Sequence, residues 1–143
     1  MTTRMIFVNL PVRDLKAAMR FYTALGFVNE PRFTDETGAC MIWSEAIFVM
    51  LLTHEKWASF TSHPIPDSAT SEVMLALSLE SREAVAAMAE TAGQNGGTAD
   101  VNSAQDHGFM MSRSFADLDG HLWEPFWMDP SFASGEAEAP TAG

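Results

Sequence analysis

Two rhythms of apolar and polar positions alternate along the chain. Met5 to Leu10 is a run of strand formers that Pro11 should close. Leu15, Ala18, Met19, Tyr22 and Leu25 then recur at helical steps, with Asp14 suited to cap the helix start and Gly26 to stop it. Phe27 to Phe33 returns to a strand pattern, in which Pro31 marks an edge or a bulge. Ala39 to Trp43 and Ala46 to Leu52 predict two more strands around a tight turn at Ser44-Glu45.

The stretch from His54 to Ser71, with Pro64, Pro66 and several Ser and Thr, reads as a connector with a short helix near Lys56 to Phe60. The first order then repeats. Val73 to Leu79 predicts a strand, Ala84 to Gly93 a helix capped by Ser81, and Thr98 to Asn102, Phe109 to Phe115 and His121 to Met128 three strands. Ile6 to Leu10 lies on Val73 to Leu77, and Met50 falls opposite Glu124. The expected fold is α+β: two βαβββ modules, residues 4–53 and 72–129, joined by residues 54–71 into one domain over residues 1–129. A helix across four strands leaves one sheet face bare, so two modules could close into a cupped mixed sheet that holds a small ligand. Residues 130–143 turn to Ser, Gly, Ala, Glu and Pro, a composition that predicts a disordered tail.

Composition narrows the function. The net charge of −11 argues against nucleic acid, whose phosphates need clustered Lys and Arg. No apolar run approaches the roughly 18 residues of a membrane span, and no signal peptide is visible. A single cysteine, Cys40, excludes an internal disulfide and fits a reducing, cytoplasmic setting.

The stretch from Asp117 to Trp127 carries the most chemistry. Asp117-Leu118-Asp119-Gly120 is turn chemistry, and His121 to Trp127 is aromatic-rich and strand-like. Glu124 stands inside that run, where an ionised carboxylate costs several kcal/mol unless it is paired, metal-bound or wet. Arg113, on the neighbouring predicted strand, is the best internal partner. A carboxylate in an apolar cup could also act as a general base or pair with a cationic ligand.

Leu10-Pro11-Val12-Arg13-Asp14-Leu15, Phe21-Tyr22, Leu25-Gly26-Phe27 and Asp117 to Glu124 together resemble the vicinal oxygen chelate superfamily of glyoxalase I, bleomycin- and fosfomycin-resistance proteins and extradiol dioxygenases. The resemblance covers Met1 to Asp129. It implies homodimers and, in the metal enzymes, a divalent ion held by His, Gln or Glu on the first and last strands of each module. Those positions fall on Phe7, Met50, Met74 and Glu124, of which only Glu124 is such a ligand. Thioether sulfur is too soft for Mg, Mn or Zn in an oxygen and imidazole site. His121 alternates away from Glu124, His107 could reach a cavity mouth, and His54 and His63 belong to the connector.

The expectation is a glyoxalase-like binder of small molecules, without a cofactor, acting by binding or by metal-free chemistry. The alternative is a metal-dependent lyase or dioxygenase in which Glu124 is a ligand. Phe7, Met50, Met74, Trp43, Arg113 and Glu124 are the expected ligand-binding residues, with Glu124 the catalytic one.

Overall fold

The protein is described from a computed structural model, which covers residues 2–133 and 135. The chain divides into two compact units: residues 1–71 with 117–121, and residues 72–116 with those from 122 onward.

The first unit holds β1 (Ile6–Val12), α1 (Leu15–Ala24), β2 (Val28–Glu30), β3 (Gly38–Ile42), β4 (Ile47–Thr53) and α2 (His54–Phe60). The sheet order is β1-β4-β3-β2, with β1 parallel to β4 and the other pairs antiparallel. The Asp14 carboxylate caps α1 by accepting from the Ala17 amide at 3.0 Å. Ala18, Phe21 and Tyr22 are the buried face of α1, and Ala39, Met41, Val49 and Leu51 form one alternating set of buried residues on the strands it covers. Burial of such side chains, at roughly 1.5–3 kcal/mol each, is the main force holding this unit together.

Two local expectations change here. Pro11 does not end β1, which runs on to Val12 with Pro11 beside Leu52. The strand lies at the sheet edge, where a missing N–H costs no ladder bond. Pro31, by contrast, does end β2: Pro31–Phe33 is one turn of 3-10 helix capped by the Glu30 carboxylate.

The second unit holds β5 (Met74–Ser78), α3 (Arg82–Gln94), β6 (Thr98–Ala99), β7 (Gln105–Asp106), β8 (Met110–Ser112), β9 (Phe115–Ala116), β10 (Leu122–Met128) and α4 (Pro130–Ala133). β5 runs parallel to β10, while β8 and β9 pair antiparallel with it. The strand expected from Phe109 to Phe115 is therefore split, and the register explains the split. Arg113 falls opposite Pro125, which accepts from the Arg113 amide at 3.1 Å but has no N–H to return. The ladder breaks at that point.

The fold is α+β, built from two βαβββ modules. Their registers correspond: Phe7 pairs with Phe48 and Asn9 with Met50 in the first, Met74 with Leu122 and Ala76 with Glu124 in the second. Pro130–Ala133 is helical, which corrects the start of the tail expected to be disordered. Residues 134 and 136–143 of that tail lie outside the described residues. Among the described residues no helix is long and apolar enough to cross a membrane.

The turn at residues 117–121 belongs to the first unit because its polar groups are spent there. Asp117, only 5% exposed, accepts from the Tyr22 hydroxyl at 2.5 Å and from the amides of Asp119 and His121 at 2.9 Å each. Arg13 donates from its amide and its Nε to Asp119. The His121 ring donates from Nε2 to the Pro11 carbonyl at 2.8 Å. Gly120 takes a positive φ of 89°, and a Cβ there would stand 2.2 Å from the Ser68 carbonyl oxygen, so the close approach needs glycine.

Candidate functional site

Strand alternation decides what surrounds Glu124. Trp123, Pro125 and Trp127 project to one face of β10 and Glu124 to the other. Trp123 is buried with its ring parallel to Phe115, and Trp127 lies under the Arg82 guanidinium at 4.9 Å. The carboxylate is thus not immersed in aromatic rings, as the sequence run suggested. It is half-buried in a cleft of about 300 Å³ whose other lining residues are Met74, Asn102, Ser103, Gln105, Ser112, Arg113 and Ser114.

Asn102 is the neighbour the sequence did not indicate. Its Nδ2 donates to Glu124 Oε1 at 3.4 Å. Its backbone is fixed by Ser114, whose Oγ accepts from the Asn102 amide at 2.8 Å and donates to its carbonyl at 3.1 Å. Ser114 is itself buried, so this clamp is rigid. Asn102 sits beyond the short strand β6, and only the path of the chain brings it to the cleft; no local motif marks it.

Arg113 is not the partner of Glu124. It bonds Asp100 at 2.7 and 3.0 Å and approaches Glu90 on α3 at 3.5 Å. Lying opposite Pro125, it alternates to the face away from Glu124. The Arg113 bond holds the Asp100 carboxyl below the usual Asp range.

The other sequence candidates separate by unit. Met74 shares the cleft of Glu124. Phe7 and Met50 lie on the face of the first sheet opposite the residues buried against α1. There Phe7 stacks on Phe48 with centroids 4.5 Å apart, and Met50 lines a different cleft. Trp43 alternates to the α1 side and packs on Phe27 at 4.9 Å, so it does not share a face with Phe7 and Met50.

None of the four histidines lines the Glu124 cleft. Among the described residues no three side chains of His, Cys, Asp or Glu gather in a way that could hold a metal ion. At the corresponding positions of the two modules stand a phenyl ring, two thioethers and one carboxylate. That donor set does not fit a divalent ion bound by oxygen and imidazole.

A family model described as Glyoxalase/Bleomycin resistance protein/Dioxygenase superfamily matches residues 4–124. The chain belongs to this superfamily. Solved structures resemble this superfamily member over most of their length. A hypothetical protein from S. aureus is 26% identical, with a TM-score of 0.73 over 89% of this chain and 95% of that one. A glyoxalase-related enzyme from Fulvimarina pelagi is 20% identical, with a TM-score of 0.73 over 88% of each chain. A genomically encoded fosfomycin resistance protein from Listeria monocytogenes is 17% identical, with a TM-score of 0.62 over 89% and 92%. The last two likenesses speak for the fold alone. The comparison with curated proteins gives no match.

Proposed function

We propose that this superfamily member binds a small polar or cationic molecule in the Glu124 cleft and does so without the four-ligand metal site of the metal enzymes. One observation carries the reading: of the four positions that correspond between the modules, Phe7, Met50, Met74 and Glu124, only Glu124 bears a charged oxygen. A carboxylate has about four acceptor sites. The 3.4 Å bond from Asn102 leaves capacity for a ligand donor. Ser112, Ser114 and Gln105 supply further polar wall, and Met74 an adaptable apolar patch. If the bound molecule also reacts, Glu124 is the acid-base group within reach of it.

The reading also takes the chain to be a cytoplasmic homodimer. Ile6 and Phe7 on β1 and Val73 beside β5 are exposed apolar residues that a second copy would cover. Light scattering on the eluting protein tests the mass.

The second reading is a metal-dependent lyase or dioxygenase, favoured by Glu124 at a position where the resemblance implies a ligand. A thermal-melt panel separates the two. Metal-stripped wild type and Glu124→Gln are each heated with Zn, Ni, Co, Mn, Mg and Fe(II), then with cationic and aromatic metabolites. A ligand at a hundred times its dissociation constant adds about 2.7 kcal/mol, a rise of several degrees for a domain this size. The proposal expects no metal-specific rise and a rise with an organic cation that Glu124→Gln abolishes. A rise with one metal, lost in Glu124→Gln, would replace it with the second reading.

A further inference from the structure

The first unit has a cleft of its own, of about 270 Å³, with Met50 and Leu52 of β4 on its floor and α2 along one side. Gly38 leaves the floor free of a side chain, because a Cβ there would meet Leu52 Cδ2 at 3.2 Å. Two phenylalanines line it, Phe33 at 60% exposure and Phe60 at 63%. Apolar area left in water forfeits roughly 25 cal/mol per Å², so two exposed rings beside one cleft mark a surface that something covers.

The charges at this cleft differ from those of the molecule as a whole, whose net charge is −11. Arg32 and Lys56 both line it, each with its cationic group over a neighbouring ring: Arg32 over Phe33 at 5.6 Å, Lys56 over Phe60 at 5.1 Å. Most of the other polar groups are committed. Arg32 is held by both oxygens of Glu30, and Asp35 accepts from the Thr37 amide and hydroxyl and the Gly38 amide. Thr34 Oγ1 accepts from Asn29 and Cys40 and donates to the Glu30 carbonyl. Lys56, among the described residues, makes no ion pair. Its ammonium is near enough to help hold the Asp35 carboxyl below the usual Asp range but bonds no carboxylate directly, so its donors are left for a ligand.

We infer that this cleft binds a flat aromatic anion, seating one or two fused rings against Phe33, Phe60 and Met50 and setting a carboxylate beside Lys56. Every residue that lines it belongs to the first unit, and it takes the charge opposite to that taken by the Glu124 cleft of the second. Its ring contacts are apolar and stacking, and its charge contact is a hydrogen-bonded ion pair, the stronger kind of polar contact.

Calorimetric titration with 2-naphthoate and with its neutral analogue 2-naphthamide tests the inference on the intact protein. Wild type should bind naphthoate saturably and naphthamide more weakly. Lys56→Gln should weaken naphthoate about tenfold, the loss of one charged hydrogen bond, and leave naphthamide unchanged. Phe60→Ala should weaken both. Both substituted side chains are at the surface, and an unchanged melting temperature certifies folding. Glu124→Gln should change neither titration, which separates failure here from failure of the reading at the other cleft. Absence of saturable naphthoate binding, equal losses for both compounds in Lys56→Gln, or a loss in Glu124→Gln would overturn the inference.

Discussion

Asp117 and Glu124 come from one continuous stretch, yet they are used in opposite ways. Asp117 is buried and met by a hydroxyl and two amides at 2.9 Å or less. Glu124 is half-buried, with the Asn102 amide at 3.4 Å. The first is an acceptor whose capacity the fold consumes to hold a turn in place. The second is left with capacity, on a strand face that opens to a cleft. A carboxylate's role here follows from how many donors the fold has already brought to it, and not from the residues beside it in sequence.

The contrast can be broken from either end. Asp117→Ala should cost the most, about 3 kcal/mol or more by urea or thermal unfolding, because it removes a buried acceptor that the Tyr22 hydroxyl and the amides of Asp119 and His121 all bond. A cost below about 1 kcal/mol would mean that water reaches this turn. The same residue should leave a mark on the pH dependence of stability. Burial, its largest influence, raises the folded-state pKa of Asp117 above the ordinary Asp value, while His121, Tyr22 and the amides pull it back. The folded protein then holds that proton more tightly than the unfolded chain does. Asp117 therefore favours folding below the ordinary Asp pKa and loses that contribution as pH rises through its raised value. Wild-type stability relative to Asp117→Asn should decline over this acid window, and a flat difference would contradict the shift.

Asn102→Ala should cost about 1 kcal/mol, since it removes side-chain bonds but leaves the Ser114 clamp on its backbone. Glu124→Gln should cost least, within about 0.5 kcal/mol, while abolishing ligand-induced stabilisation at its own cleft. If Glu124→Gln unfolded the protein as readily as Asp117→Ala, the distinction between the two carboxylates would collapse.

What the sequence made legible was whatever repeats or caps. Asp14 and Ser81 do cap their helices, and the alignment of Met50 with Glu124 matches the observed register. The sites were harder to read, because they depend on which face a strand presents. The tryptophans flanking Glu124 looked like its surroundings and proved to be its opposite face. Arg113 looked like its partner and is bound to Asp100 and Glu90. Asn102 ended a predicted strand and Lys56 began a short predicted helix, elements too short for their pattern to say that either residue would face a cleft.

Pro125 reaches beyond its own strand. Since the missing hydrogen bond belongs to the proline and not to Arg113 or Ser114, no substitution on the partner side can restore the ladder. In a genetic screen, variants that fuse β8 and β9 into one continuous strand should map to codon 125 alone. Amide exchange at the residues flanking the gap would report each such suppressor directly.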